Sequence, residues 1–241
     1  MKTQNIRKFA PLTIAAMIVS GIALAPSSQA ATSASSRYIT VSSEGTVKVV
    51  PDAVRLNANV SVVAATNSAA LAQASASAAA VRAALVANAI AKTEIATQSI
   101  TVYPEYKYTQ ESGSVLIGYR GSQSFVVTIK NPANAGAVVD AVVAAGGDNV
   151  QVQGVTPFIL DTTKSTASAR SVAVKNAKAK ATSYVKLLGI KLGKVKYLVE
   201  NSSPLGYLPI ASMAKADSGE TVVDLGQQDV TVSITVQWSL I

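Results

Sequence analysis

In 241 residues the chain contains no cysteine and no histidine. Those absences exclude a thiolate nucleophile, a Ser-His-Asp relay, structural zinc of the usual kind and a histidine ligand for haem. No disulfide can constrain the unfolded chain, so stability must come from packing alone. No remaining side chain titrates near neutral pH unperturbed, and acid–base catalysis there would require a strongly shifted carboxyl or lysine. The sequence therefore assigns no catalytic residue, metal site or cofactor site. A third absence is local: from Lys164 to Lys196 there are nine Lys or Arg residues and no acid.

What is present begins with a targeting signal. Lys2, Arg7 and Lys8 form a charged segment, Phe9 to Leu24 an apolar one, and Ser28-Gln29-Ala30 a small-x-Ala cleavage site. Residues 1–30 are expected to be a secretory signal peptide, followed by a flexible lead at 31–37 and one domain over 38–241. Pro11, Thr13, Ser20 and Gly21 interrupt a stretch already short of the ~20 residues a membrane span needs. No cysteine follows for lipid attachment, so an exported, soluble protein that does not span the membrane is expected. Cleavage after Ala30 leaves 18 basic against 13 acidic side chains, a mild positive excess.

Ile39 to Val50 is rich in β-branched residues and ends at the turn residues Pro51-Asp52. From Val54 to Val62 the apolar positions fall on every second residue, which predicts a half-buried strand paired as a hairpin with the first. Thr66-Asn67-Ser68 can cap a helix whose Leu71, Ala74, Ala78, Val81 and Leu85 recur at three- and four-residue spacing. Before Lys92 its only charge is Arg82. A helix so poor in charge is expected to be covered on more than one face, by close packing on a sheet or by another subunit.

Residues 95–108 and 115–129 read as a hairpin around Glu111-Ser112-Gly113-Ser114. A short helix over 133–145, opened by Pro132 and closed by Gly146-Gly147, leads to a strand at 149–159. A basic helix over 165–188 carries Val174, Ala177, Ala181, Tyr184 and Leu188 as its apolar stripe, and a strand follows at 194–200. Residues 201–227 hold three glycines or prolines in their first nine and no sustained period, so they predict a long loop or lid. The last strand alternates Val230, Val232, Ile234, Val236 and Trp238 with polar residues, and its place at the terminus suits a sheet edge. The order of elements implies an α+β fold of two related halves, with an antiparallel or mixed sheet and long packed helices.

Several patterns resemble known chemistry and lack its context. Gly189-Ile190-Lys191-Leu192-Gly193-Lys194-Val195 precedes a strand, whereas a phosphate loop precedes a helix, so its glycines read as a helix cap and a turn. Ser183-Tyr184-Val185-Lys186 fits the Ser-x-x-Lys pattern of penicillin-binding enzymes, but no Ser-Asp-Asn or Lys-Thr-Gly element accompanies it. Tyr103, Tyr106, Tyr108 and Tyr119 with Lys107 and Arg120 could stack nucleic-acid bases. Ordinary sheet packing is the preferred reading for them, and no nucleic-acid partner is expected. Arg170, Lys175, Lys178, Lys180 and Lys186 form a candidate anion-binding surface for an anionic envelope glycan or lipid, beside the simpler reading of a solvated helix face. Asp217, Glu220 and Asp224 are the residues on which a carboxylate-dependent hydrolase would rest.

Three blocks carry a family resemblance: Glu44-Gly45-Thr46-Val47 through Pro51-Asp52-Ala53-Val54; Ala173-Val174-Lys175-Asn176-Ala177-Lys178-Ala179-Lys180-Ala181 through Leu188-Gly189 to Val195; and the closing alternating strand. With these the chain resembles the bacterial SIMPL-domain family, which includes periplasmic immunogenic and oxidative-stress-defence proteins. The resemblance implies an α+β fold, a periplasmic location and self-assembly into ring-like homo-oligomers. It supplies no catalytic residue, and Pro51-Asp52 and Gly189 match as structural positions only. The expectation is a non-enzymatic periplasmic oligomer that supports envelope integrity or stress tolerance, with the stress role implied by the resemblance alone.

Overall fold

A computed structural model describes residues 37–201 and 221–241. The expected signal peptide, the lead as far as residue 36 and the central part of the 201–227 loop lie outside the described residues. In chain order the elements are β1 (Tyr38–Val49), β2 (Ala53–Ala64), α1 (Asn67–Ala87), β3 (Ile95–Thr109), β4 (Gly113–Ile129), α2 (Ala135–Gly146), β5 (Val150–Phe158), α3 (Thr163–Leu187), β6 (Leu192–Asn201) and β7 (Gln228–Leu240). The fold is α+β as expected, every strand pairing is antiparallel, and the strands divide into two sheets ordered β1-β7-β6 and β3-β4-β2-β5.

Two expectations about pairing are corrected. β1 and β2 do not form a hairpin: β1 pairs with β7, and β2 lies between β4 and β5. Pro51-Asp52 carries the chain from one sheet to the other. The Asp52 carboxylate accepts from the Leu160 amide at 2.7 Å, and the Gln228 side chain donates to the Pro157 carbonyl at 2.7 Å, which fixes the junction. The terminal strand is likewise not an edge; β7 is central in its sheet, between β1 and β6. Alternation reports which face of a strand is buried, and it carries no information about which strands lie beside it. Pro104 and Pro157 fall in β3 and β5, the two edges of the larger sheet, where a proline without an N–H is tolerated.

Each sheet has its own core. α1 and α2 cover the larger sheet, burying Leu56, Val60, Val81, Leu85, Phe125 and Val138 among others. α3 covers the smaller one and packs an alanine stripe on Val41, Val230, Val232, Ile234 and Val236. Both helical stripes differ from expectation. On α1 the buried set is Ala70, Ala74, Ala78, Val81 and Leu85, with Leu71 exposed. On α3 it is Ala169, Ala173, Ala177, Ala181 and Val185, with Val174, Tyr184 and Leu188 exposed.

The cause is how closely the helices approach the sheets. A methyl group added at Gly45 in β1 would overlap the Ala169 carbonyl oxygen and the Ala173 amide nitrogen. One added at Gly121 in β4 would lie 2.5 Å from the Ala70 carbonyl oxygen. At these points helix backbone rests on strand backbone, and a larger side chain would hold the two apart.

Local chemistry sets the helix ends. The Thr66 hydroxyl accepts from the Ala69 amide at 3.2 Å, the N-cap that the sequence predicts. α3 closes with Gly189 at φ +66° and an Ile190 amide bond to the Val185 carbonyl of 3.0 Å. α1 closes the same way, but with Ala89 at φ +62°, a left-handed conformation that costs a non-glycine residue roughly 1 kcal/mol. The last residues of the expected loop, 221–227, are built into the fold: Val223 and Leu225 pack on the larger core, and Thr221 bonds to Asp140 of α2 through its hydroxyl at 2.6 Å.

The close helix–sheet contact generates a test. Gly45→Ala should lower unfolding stability by at least ~2 kcal/mol, because strand or helix must move. Gly154→Ala, whose added methyl meets only the Asn57 side-chain nitrogen at 3.9 Å, should change it by less than ~0.5 kcal/mol. Urea denaturation of both variants checks this, and equal effects would show that the approach at Gly45 is not limiting.

Candidate functional site

The five candidate cations on α3 separate into two groups. Arg170 makes a two-pronged ion pair with Glu200 of β6, with nitrogen–oxygen distances of 2.5 and 2.9 Å, and its guanidinium pKa is raised by that hydrogen bonding and charge. Lys180 donates to the Ser42 carbonyl at 3.3 Å, and Asn176, one turn earlier, donates to the Glu44 carbonyl at 3.0 Å. The Arg37 carbonyl accepts from the Leu240 amide, so odd-numbered carbonyls of β1 point at β7 and even-numbered ones point to the open edge. Lys180 and Asn176 thus occupy two carbonyls of an edge strand that could otherwise template another chain.

Lys175, Lys178 and Lys186 remain, and together with Ala179, Thr182 and Ser183 they line a shallow depression on the outer face of α3. Ser183 and Lys186 of the Ser-x-x-Lys pattern both belong to this open surface. Gly189 serves as the helix cap described above. Gly193 lets β6 approach β7, since a methyl group there would overlap the Ser239 hydroxyl. Of the three carboxylates named for hydrolysis, Asp217 and Glu220 lie outside the described residues, and Asp224 is exposed.

The tyrosine-bearing hairpin has a more definite shape. β2 accompanies β4 only as far as the Ala64–Tyr119 pair. Beyond it, residues 104–109 and 113–118 continue as a two-stranded arm about 20 Å long. A bulge at its base leaves Ile117 unopposed, and Gly118 at φ +151° lies against the Ala64 carbonyl at 2.7 Å from where a Cβ would stand. Tyr106, Tyr108, Val115, Leu116 and Ile117 are all exposed along this arm. Arg120 anchors its root, pairing with Glu105 at 2.8 and 2.9 Å and donating to the Ser61 hydroxyl at 3.0 Å.

At the other end of β3 lies a groove that the linear pattern does not reveal. Arg82, Ala83, Val86 and Ala87 of α1 meet Lys92 and Ile95 there. The Arg82 guanidinium lies 5.1 Å from the centre of the Phe125 ring and hydrogen-bonds the Thr97 hydroxyl. The exposed face of α1 around it carries alanine, serine, Leu71 and Val86. The sparse charge of α1 was the one sequence signal pointing to this face. The pairing of Arg82 with Lys92 depends on how the chain turns after the helix.

Comparison with known proteins places these features in a family. The SIMPL family model, described as a protein of unknown function (DUF541), matches residues 39–238. The uncharacterized protein YggE of Escherichia coli K12 is 29% identical over 215 residues, covering 88% of this chain and 83% of its own. The 26 kDa periplasmic immunogenic protein of Brucella melitensis biotype 1 is 28% identical over 213 residues, covering 84% of each chain.

The anchored arm has a pH signature. Hydrogen bonding from Arg120, and then its positive charge, holds the Glu105 carboxyl below its ordinary value against the opposing effect of desolvation. A depressed folded pKa stabilises in full above the ordinary carboxylate value of ~4.3 and is lost as pH falls through the folded value. Arg120→Gln should therefore melt below wild type at pH 7, with the gap closing as pH drops below about 4. Thermal melts across that range check it; a gap independent of pH would show that the ion pair contributes nothing.

Proposed function

The chain belongs to the SIMPL family, and from that premise we propose that it is an exported periplasmic protein, non-enzymatic, that self-assembles and supports envelope integrity or stress tolerance. The observation that carries this reading is the β3–β4 arm. A two-stranded ribbon is marginally stable in water by itself, and this one bears five large apolar side chains in solvent. Such a surface is normally covered by another molecule. The exposed face of α1 adds a second weakly charged surface.

The non-enzymatic part is supported by the lack of cysteine and histidine and by the character of the shifted groups. Each of these has a structural partner: Glu105 with Arg120, Asp161 with Thr163, Arg170 with Glu200. The periplasmic part is supported by the charged, apolar and cleavage segments at the N-terminus and by the name of the Brucella relative. Light scattering on the mature protein at micromolar concentration should give a mass of several chains. A strain lacking the gene should survive peroxide or outer-membrane permeabilisation less well than its parent. A monomeric mass would remove the assembly, and unchanged survival would remove the envelope role.

A second reading keeps the basic face of α3 as a binding surface for an anionic envelope glycan or lipid. It is favoured by Lys175, Lys178 and Lys186 converging on one depression with no acid within the helix. Reversing those three charges should abolish binding to vesicles containing anionic phospholipid, and raised salt should weaken it in the wild type. Binding indifferent to both would exclude the surface.

A further inference from the structure

We infer that copies of this chain join head to tail, the β3–β4 arm of one seating in the groove between α1 and the start of β3 on the next. This rests on the self-assembly reading above and names the surfaces that would carry it. Both halves of the contact are present on one chain, at opposite ends of one strand. Ile95 opens β3 inside the groove, and Thr109 ends it at the tip of the arm.

The two surfaces match in polarity and in sign. The arm presents Tyr106, Tyr108 and Leu116, with Tyr106 opposite Leu116 in the ladder, so the three lie on one face. Tyr108 is 79% exposed, a large aromatic of the kind that anchors interfaces when buried. The groove offers Ala83, Val86, Ala87 and Ile95, small or aliphatic groups between which a ring can lie.

Charge fixes the direction. Glu111 stands in the turn at the tip of the arm, with no ion-pair partner among the described residues. Arg82 and Lys92 flank the groove and are likewise without an acid there, since nearby Glu94 is taken by Lys130 at 2.6 Å. Lys107 also lies on the arm, but it alternates with Tyr106 and Tyr108 along β3, which puts it on the face away from the contact. An arm and a groove satisfy one another, and the α1 face beside the groove adds no opposing charge. Because the two patches differ, the contact is heterologous and propagates until it closes into a ring or continues as a filament.

The test uses two double variants of the full mature chain, each altered only at exposed positions. Tyr108→Ser with Leu116→Ser removes the arm's anchors; Val86→Glu with Lys92→Glu spoils the groove. Circular dichroism melts confirm that both fold. In light scattering each variant alone should be monomeric, its dissociation constant raised roughly thirtyfold or more. An equal mixture should recover a dimer and nothing larger, since one intact arm and one intact groove remain. Glu111→Lys combined with Lys92→Glu should assemble better than either change alone. Variants that assemble like wild type, or a mixture that stays monomeric, would overturn the arm-in-groove contact while leaving self-assembly standing. A wild type that is itself monomeric overturns both.

Discussion

The fold depends on helices resting directly on strand backbone. Gly45 and Gly121, one in each sheet, remove the side chains that would otherwise separate α3 from β1 and α1 from β4. Each helix answers with alanines at four-residue spacing, at 169, 173, 177 and 181 on α3 and at 70, 74 and 78 on α1. The contact contributes through many short-range dispersion interactions, not through large buried side chains. Without disulfides, close packing of this kind is the means left to a chain with few aromatics. It also explains why Leu71 on α1 and Val174 and Tyr184 on α3 turn outward, where they lie within reach of another molecule.

Two cores then have to be held together. The chain crosses between sheets at Pro51-Asp52, where Asp52 takes the amide that follows β5, and Gln228 ties the start of β7 to the end of β5. The third link is the segment 221–227, whose Val223 and Leu225 enter the larger core before β7 enters the smaller. One result is that β1 becomes an open edge, and α3 closes part of it with Asn176 and Lys180. Lys180, which reads as part of a solvated basic face in one dimension, therefore acts on the sheet. The remaining lysines and the projecting arm are the surfaces left over for partners.

How much of this was legible can be judged residue by residue. Thr66, Gly189, the β3–β4 turn and the alternation of β7 were readable because each is decided within a few residues. The sparse charge of α1 was readable too, but the cover expected on more than one of its faces is not supplied within the chain, which buries one stripe and leaves Leu71 and Val86 exposed. The pairing of β1 with β7 was not readable, because alternation gives the buried face and not the neighbour. Nor was the shift of each helical stripe onto smaller residues, since hydrophobicity ranks Val174 and Leu71 above the alanines that the glycines in the facing strands select. The groove of Arg82 and Lys92, like the ion pair of Glu105 with Arg120, joins residues that no local pattern connects.

Composition, capping residues and periodicity by themselves determined the α+β class and the element boundaries to within a few residues, and the resemblance of three sequence blocks pointed to the family. Only the tertiary structure decided which strands adjoin, which lysines are already engaged and where apolar surface is left in water. The physical reason is range. Propensity, capping and alternation act over one or two turns of chain, whereas helix–sheet separation, edge exposure and ion pairing depend on residues brought together from as far apart as β1 and β7.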